Sequence, residues 1–144
     1  MAINYLINAP VSTDDFIDLL QRSTLGERRP VDDRNCMEGM ITQATLTVSA
    51  WDDDILVGVA RSLTDFHYAC YLSDLAVCQE HQKQGIGQEL LKLTEHQLEP
   101  TCKLILIAAP DANDYYPKQG FEHNPRCWVY TEPRQAEAEA EAEE

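Results

Sequence analysis

Six consecutive residues, Gln82, Lys83, Gln84, Gly85, Ile86 and Gly87, carry the densest chemical signal in the chain. Before them, residues 71–77 are apolar and β-branched enough to form a buried strand. After them, residues 88–98 continue a helical stripe formed by Ile86, Leu90, Leu91, Thr94 and Leu98. A loop that joins a strand to a helix in this way aims unpaired backbone N–H groups and the positive end of the helix dipole at one point. Glycine there lets a bulky anion approach the backbone without meeting a Cβ. The chemistry this predicts is pyrophosphate binding. Gly87 is followed by Gln88 and Glu89, which excludes a nucleotide P-loop. A dinucleotide fingerprint fails too, because its third glycine position holds Leu90.

A second segment, Tyr115-Tyr116-Pro117-Lys118-Gln119-Gly120-Phe121, follows at a distance that gives the loop meaning. Together the two resemble the GNAT superfamily of acyl-CoA-dependent N-acetyltransferases. That family carries [QR]-x-x-G-x-[GA] after its fourth strand, matched by Gln82, Gly85 and Gly87, and an F-Y-x-K-x-G-F-like segment on its last helix. The strand ending Asp74-Leu75-Ala76-Val77 fits the same pattern, and the resemblance covers roughly residues 45–130.

The resemblance implies that acetyl-CoA is the co-substrate. Its pantetheine arm would pair with the backbone of Leu75 and Val77, with Ala76 between them, and its pyrophosphate would sit on the N–H groups of residues 82–87. It also implies that a backbone N–H near Val77 polarises the thioester and that Tyr116 protonates the departing thiolate. A tyrosine suits that role, since its phenol holds a proton at pH 7. Relatives often place a glutamate or histidine at the positions of Tyr71 or Ser73 to receive the amine's proton. Neither residue here is a strong base, so a water is expected to carry that proton. Asp74 is the strand's only carboxylate and falls on the opposite face by alternation, which reads as structural, and Asp65 in the preceding turn is a weaker candidate base. Two positions depart from the family pattern. Ala109 stands where relatives carry a cofactor-bonding asparagine, and Pro117 lies inside the last helix, where it predicts a kink or an end.

The elements that must position these groups are legible from their patterning. Residues 3–7 read as a first strand, and Ser12 with Asp15 as the capping box of a helix to about Arg22. Asp32 or Asp33 caps a second helix ending near Thr42. Strands follow at 46–51, 55–63 and 68–77, then the helix after the glycine loop, a fully buried strand at 103–107, a short helix at 112–118 and a last strand at 127–130. The fold class expected is α/β (α+β): a mixed, mostly antiparallel sheet of six to seven strands, with helices on both faces. In the GNAT fold the fourth and fifth strands splay apart.

A chain of 144 residues supports one domain, assigned to residues 1–131, with residues 132–144 as an acidic tail expected to be disordered. The tail's six glutamates and one arginine account for −5 of the net charge of −14, leaving −9 for the rest. Such a balance argues against nucleic acid as a partner. No apolar run reaches membrane-spanning length, so no membrane partner is expected, and five cysteines without C-x-x-C pairs fit a reducing, cytoplasmic setting. The four histidines lack ligand spacing, so no metal is expected. Nor does the sequence put a basic partner beside Cys70 or Cys78, which disfavours a covalent acyl-enzyme.

The expected reaction is direct attack of a small-molecule primary amine on acetyl-CoA. The alternatives are an acyl-CoA-binding regulatory module with little turnover and a protein N-acetyltransferase; a homodimer is left open. For the acceptor, the acidic surface would draw a polyamine or aminoglycoside, whereas Arg28 and Arg29 between the first two helices could hold a substrate carboxylate. The plainer use of those arginines is ion pairing with Asp32 or Asp33.

Overall fold

The computed structural model describes residues 2–131; the acidic tail assigned to 132–144 lies outside them. The chain falls into two compact units, one ending at Ile107 and the other beginning at Ala108.

The first unit opens with strand β1 (Asn4–Ile7) and helix α1 (Thr13–Arg22). The Ser12 hydroxyl accepts the Asp15 N–H at 3.0 Å, the N-terminal cap the sequence anticipates. A 3-10 turn (Leu25–Arg28) leads to helix α2 (Arg34–Gln43), capped by the Asp33 carboxylate on the Cys36 N–H at 3.1 Å. Strands β2 (Leu46–Asp52), β3 (Ile55–Thr64) and β4 (Ala69–Val77) form an antiparallel meander, β2 and β3 being joined by the acidic turn at Asp53 and Asp54. A second 3-10 turn (Gln79–His81), helix α3 (Ile86–His96) and strand β5 (Lys103–Ile105) complete the unit.

Among the described residues the sheet runs β1-β2-β3-β4-β5, and only the β4–β5 pairing is parallel. Helix α1 packs on β3 and β4, and α3 on β2, β3 and β4. Phe16, Leu19 and Leu20 of α1 and Leu90 of α3 are fully buried with Val48, Val57 and Val59 of the sheet. Gly58 lets α3 come close: a Cβ there would lie 3.1 Å from both Ile86 Cγ2 and Leu90 Cδ1, tighter than ordinary contact.

The second unit begins with a 3-10 turn (Pro110–Ala112) and a four-residue helix α4 (Tyr115–Lys118). Pro117 occupies the third position of α4, inside the first turn, where a missing N–H leaves no helical bond unmade. The helix stops one residue later, and the chain reverses through Gly120 at φ +91°.

Three expectations are corrected. The sheet has five strands among the described residues, not six or seven. Residues 127–130 are not a strand, and Trp128 and Val129 are exposed, so a β-branched and aromatic run does not make a strand by itself. Strand β5 is shorter than expected, and Ile105 and Ile107 are about half exposed rather than fully buried. An edge strand with one neighbour does not enclose every apolar side chain it carries.

Candidate active site

The site begins where β4 loses its second neighbour. Strand β5 pairs only with Ala69, Cys70 and Tyr71, whereas β3 stays paired with β4 as far as Val77. From residue 72 onward β4 therefore has no β5 partner. The direction of its backbone groups follows from the ladder. The Cys78 N–H donates to the Val57 carbonyl at 2.9 Å, so by antiparallel alternation Ala76 also faces β3, while Leu75 and Val77 turn their backbone toward the parted edge. Two contacts on that edge agree: the Ser73 carbonyl accepts from Arg29 at 2.8 Å, and the Val77 carbonyl accepts from the Gln82 amide at 3.0 Å.

Side chains on β4 alternate as the sequence predicts. Cys70, Leu72, Asp74 and Ala76 are buried, while Tyr71, Ser73, Leu75 and Val77 are half-buried or exposed.

The glycine loop leaves β4 through Cys78 and the turn Gln79–His81. Gln82 ties it back to the strand end with its side-chain amide, while its backbone N–H is directed at the Gln79 carbonyl at 3.4 Å. Lys83 (φ 65°) and Gly85 (φ 84°) both adopt the left-handed conformation, which swings the chain into α3. The Gly85 carbonyl accepts the Glu89 N–H at 3.1 Å and starts the helix, yet no side chain caps it. The first-turn N–H groups of Ile86, Gly87 and Gln88 consequently lack acceptors within the helix. A Cβ built on Gly85 would meet no atom within 4 Å, so the space over the loop is open. Gln82, Lys83, Gln84 and Gly85 are exposed, while Ile86 is buried and anchors the helix on the sheet.

Beside this edge lies a charge network that the sequence revealed only in part. Asp74 is fully buried. One carboxylate oxygen accepts from Arg29 Nε at 2.5 Å and the other from Arg61 Nε. Arg61 also donates to the Ser73 hydroxyl at 2.9 Å and to the Met40 carbonyl at 3.2 Å. Asp74 is thus structural, and the partner of Arg29 is Asp74 rather than Asp32 or Asp33. Arg28, exposed in the 3-10 turn, offers its carbonyl to Arg29 at 3.0 Å. Asp65 accepts three backbone N–H groups, from His67, Tyr68 and Ala69, and these hold its carboxyl below the usual range. That makes it a turn-former and a poor base.

The structure also gives Cys78 the basic neighbour that the sequence did not reveal. His81 Nδ1 lies 2.9 Å from Cys78 Sγ, and His81 Nε2 lies 3.4 Å from an Asp52 oxygen. The spacing Cys78-Gln79-Glu80-His81 is the signal that could have found the local pair; Asp52 arrives from the end of β2. A separate cleft of about 350 Å³, lined by residues such as Pro10, Ile41, Thr42 and Thr47, presents no titratable side chain.

In the second unit, Tyr116 packs edge-on against Tyr115 and Phe121, with ring centroids 5.2 and 5.4 Å away. Burial, reinforced by Tyr115, raises its phenol above the ordinary tyrosine value, so it keeps its proton at neutral pH.

Comparison with known proteins accords with this geometry. A family profile described as "Acetyltransferase (GNAT) domain" matches residues 25–127. No curated protein sequence matches the chain. Among solved structures, a GNAT-family acetyltransferase from Streptococcus pneumoniae TIGR4 superposes with a TM-score of 0.73 at 22% identity, over 91% of this chain and 100% of that one. An aminoglycoside acetyltransferase from an uncultured soil metagenomic sample, solved with sisomicin, gives 0.64 at 21% identity, over 90% and 95%. The aminoglycoside acetyltransferase AAC(6')-Iy, solved with a bisubstrate analogue of CoA and acetylneamine, gives 0.69 at 16% identity, over 92% and 99%. The profile spans the parted β4 edge, the glycine loop and the tyrosine segment alike, and the chain belongs to the GNAT acetyltransferase family.

Proposed function

We propose that the chain moves an acetyl group from acetyl-CoA to a primary amine of a small molecule by direct attack. The observation that carries this reading is the continuity of the parted β4 edge with an uncapped helix N-terminus over an open glycine. A pantetheine arm is a chain of amides, and the backbone of Leu75 and Val77 offers it ladder-like partners. A pyrophosphate needs clustered N–H donors and room, which residues 83–87 offer with Lys83 beside them. Gln82 would hold the loop in place through the Val77 carbonyl. When bound, acetyl-CoA supplies the activated thioester carbonyl.

The chain's own groups then divide the remaining work. A backbone N–H at the end of β4, at Val77 or its neighbour, polarises the carbonyl oxygen. Tyr116 is the acid, its proton retained by burial. Ser73 and Tyr71 orient a water that takes the amine's proton. The Ser73 hydroxyl already accepts from Arg61, so it is fixed in direction and unsuited to being the base itself.

That lack of a strong base on β4 is what favours the second reading, an acyl-CoA-binding module with little turnover. A thiol-release assay on the full chain with acetyl-CoA and a panel of polyamines, aminoglycosides, amino acids and an N-terminal peptide separates the readings. Amine-dependent release supports the enzyme, and its absence alongside tight acetyl-CoA binding supports the module. The aminoglycosides belong in the panel because the soil-derived structural relative was solved with sisomicin.

A further inference from the structure

Cys78, Glu80 and His81 offer ligand atoms that all lie within 4.8 Å of one another, where β4 gives way to the glycine loop. We propose that these three side chains bind one divalent transition-metal ion of the zinc class, with Asp52 orienting the imidazole. A thiolate, an imidazole and a carboxylate are the donors that zinc takes, and three protein ligands leave its fourth position to water. Asp52 can only accept, so its contact with Nε2 puts the ring proton on that nitrogen and leaves the Nδ1 lone pair facing Sγ. Carboxylate, histidine and metal stand in this order in many zinc sites, the carboxylate fixing the tautomer.

Distances decide how much must move. Two ligands on one tetrahedral zinc, one sulfur and one nitrogen, stand about 3.6 Å apart. Sγ and Nδ1 are now 2.9 Å apart, so the imidazole must retreat by roughly 0.7 Å, the difference from that spacing. His81 has room to do so, since its side chain is 16% exposed and Glu80 is on the surface. The same geometry argues against a nucleophilic triad. Cys78 has no exposed surface, so a thioester carbonyl has no path to its sulfur. Binding displaces the thiol proton to solvent: Cys78–SH and M²⁺ give Cys78–S–M⁺ and H⁺. Because Asp52 ends β2 and His81 opens the loop, the ion would fasten the β2–β3 hairpin to the residues that precede Gly85.

The test is a cobalt(II) titration of the reduced, chelator-stripped full chain, followed by displacement with zinc. The expected result is one Co²⁺ per chain with a near-ultraviolet thiolate-to-cobalt charge-transfer band and the intense visible bands of a tetrahedral site. Cys78→Ser should abolish the charge-transfer band. Asp52→Asn should retain the band while weakening affinity by about 10- to 100-fold. His81→Gln, which removes a ligand rather than its support, should retain the band and weaken affinity further. Should Cys78→Ser fail to fold by circular dichroism, the two other variants carry the test. Cobalt binding without a thiolate band assigns the metal to surface carboxylates and overturns the proposal, as does a band that survives Cys78→Ser or an affinity untouched by His81→Gln. The readout is independent of acetyl transfer, so either outcome leaves the catalytic reading where it stands.

Discussion

Tyr116 and Gly85 test different links of the proposed site, and each has a substitution that isolates its chemistry. Tyr116→Phe keeps the ring edge-on against Tyr115 and Phe121 but removes the proton. Fold and acetyl-CoA affinity are expected to survive, while turnover falls about 10- to 100-fold, less than a full general-acid contribution because water can substitute. Unchanged turnover on a good acceptor would reduce Tyr116 to packing. At Gly85 two variants are needed, because the residue combines a left-handed φ of 84° with open space. Gly85→Ala pays only the backbone term, about 1–2 kcal/mol for a residue with a Cβ in that region. Gly85→Glu pays the same and adds a negative charge where the pyrophosphate is proposed to sit. Calorimetry should therefore find acetyl-CoA binding weakened by the alanine and lost with the glutamate. Equal affinities for the two variants would remove the phosphate from this loop. NAD and ATP should bind far more weakly than acetyl-CoA, since the loop carries neither fingerprint.

At the scale of elements, the Asp74 network is what fixes β4 beside the turn that follows α1. Asp74→Ala leaves the guanidinium of Arg61, only 5% exposed, without its carboxylate, and an orphaned buried charge costs about 3–5 kcal/mol. Arg29→Ala should cost less, because the Arg29 side chain is 22% exposed and Arg61 still answers Asp74. Chemical denaturation that ranks Arg29→Ala above Asp74→Ala would contradict this division. The β3–β4 turn makes a pH-dependent prediction. The carboxyl of Asp65 is held below its usual value by three backbone N–H groups, so its contribution is present above the unfolded carboxylate pKa. It is lost as pH falls through the folded value. Asp65→Asn should melt below the parent at neutral pH, with the gap closing as the solution is acidified. Most of these elements were legible in the sequence because their signals are local: period-2 alternation in β2, apolar and β-branched content in β3 and β4, a 3.6 stripe in α3, Ser12 and Asp33 as caps. The misses were not local. Whether residues 127–130 ladder depends on a partner strand, the extent of β5 depends on where it parts from β4, and the Asp74 network joins residues 13 and 45 positions apart. The charge-bearing residues were visible, but their pairing was not.

For the whole molecule the open quantity is the acceptor, and charge decides between its two classes. The sequence offered an arginine clamp for a carboxylate and an acidic field for a cation. The structure engages Arg29 with Asp74 and the Ser73 carbonyl, so a substrate carboxylate would have to compete with a buried aspartate for that guanidinium. Arg28 alone is a weaker clamp, since an exposed single cation contributes about 0–1 kcal/mol. The net charge of −14 works in the other direction at long range. It raises the local concentration of a polycationic amine and accelerates encounter, an effect that fades as the Debye length shrinks from about 30 Å at 0.01 M salt to about 8 Å at 0.15 M. The expected outcome is that kcat/KM for a polyamine or an aminoglycoside falls steeply over that salt range, while the value for a monoamine of similar reactivity changes little. Because steering acts on encounter, kcat at saturating acceptor should be nearly flat for both. Arg28→Ala should leave the polyamine rate unharmed or improve it, one opposing charge having been removed. A parent enzyme that prefers amino acids to polyamines at low salt, and loses that preference with Arg28→Ala, would instead restore the clamp to the acceptor site and leave the acidic surface a role in solubility alone.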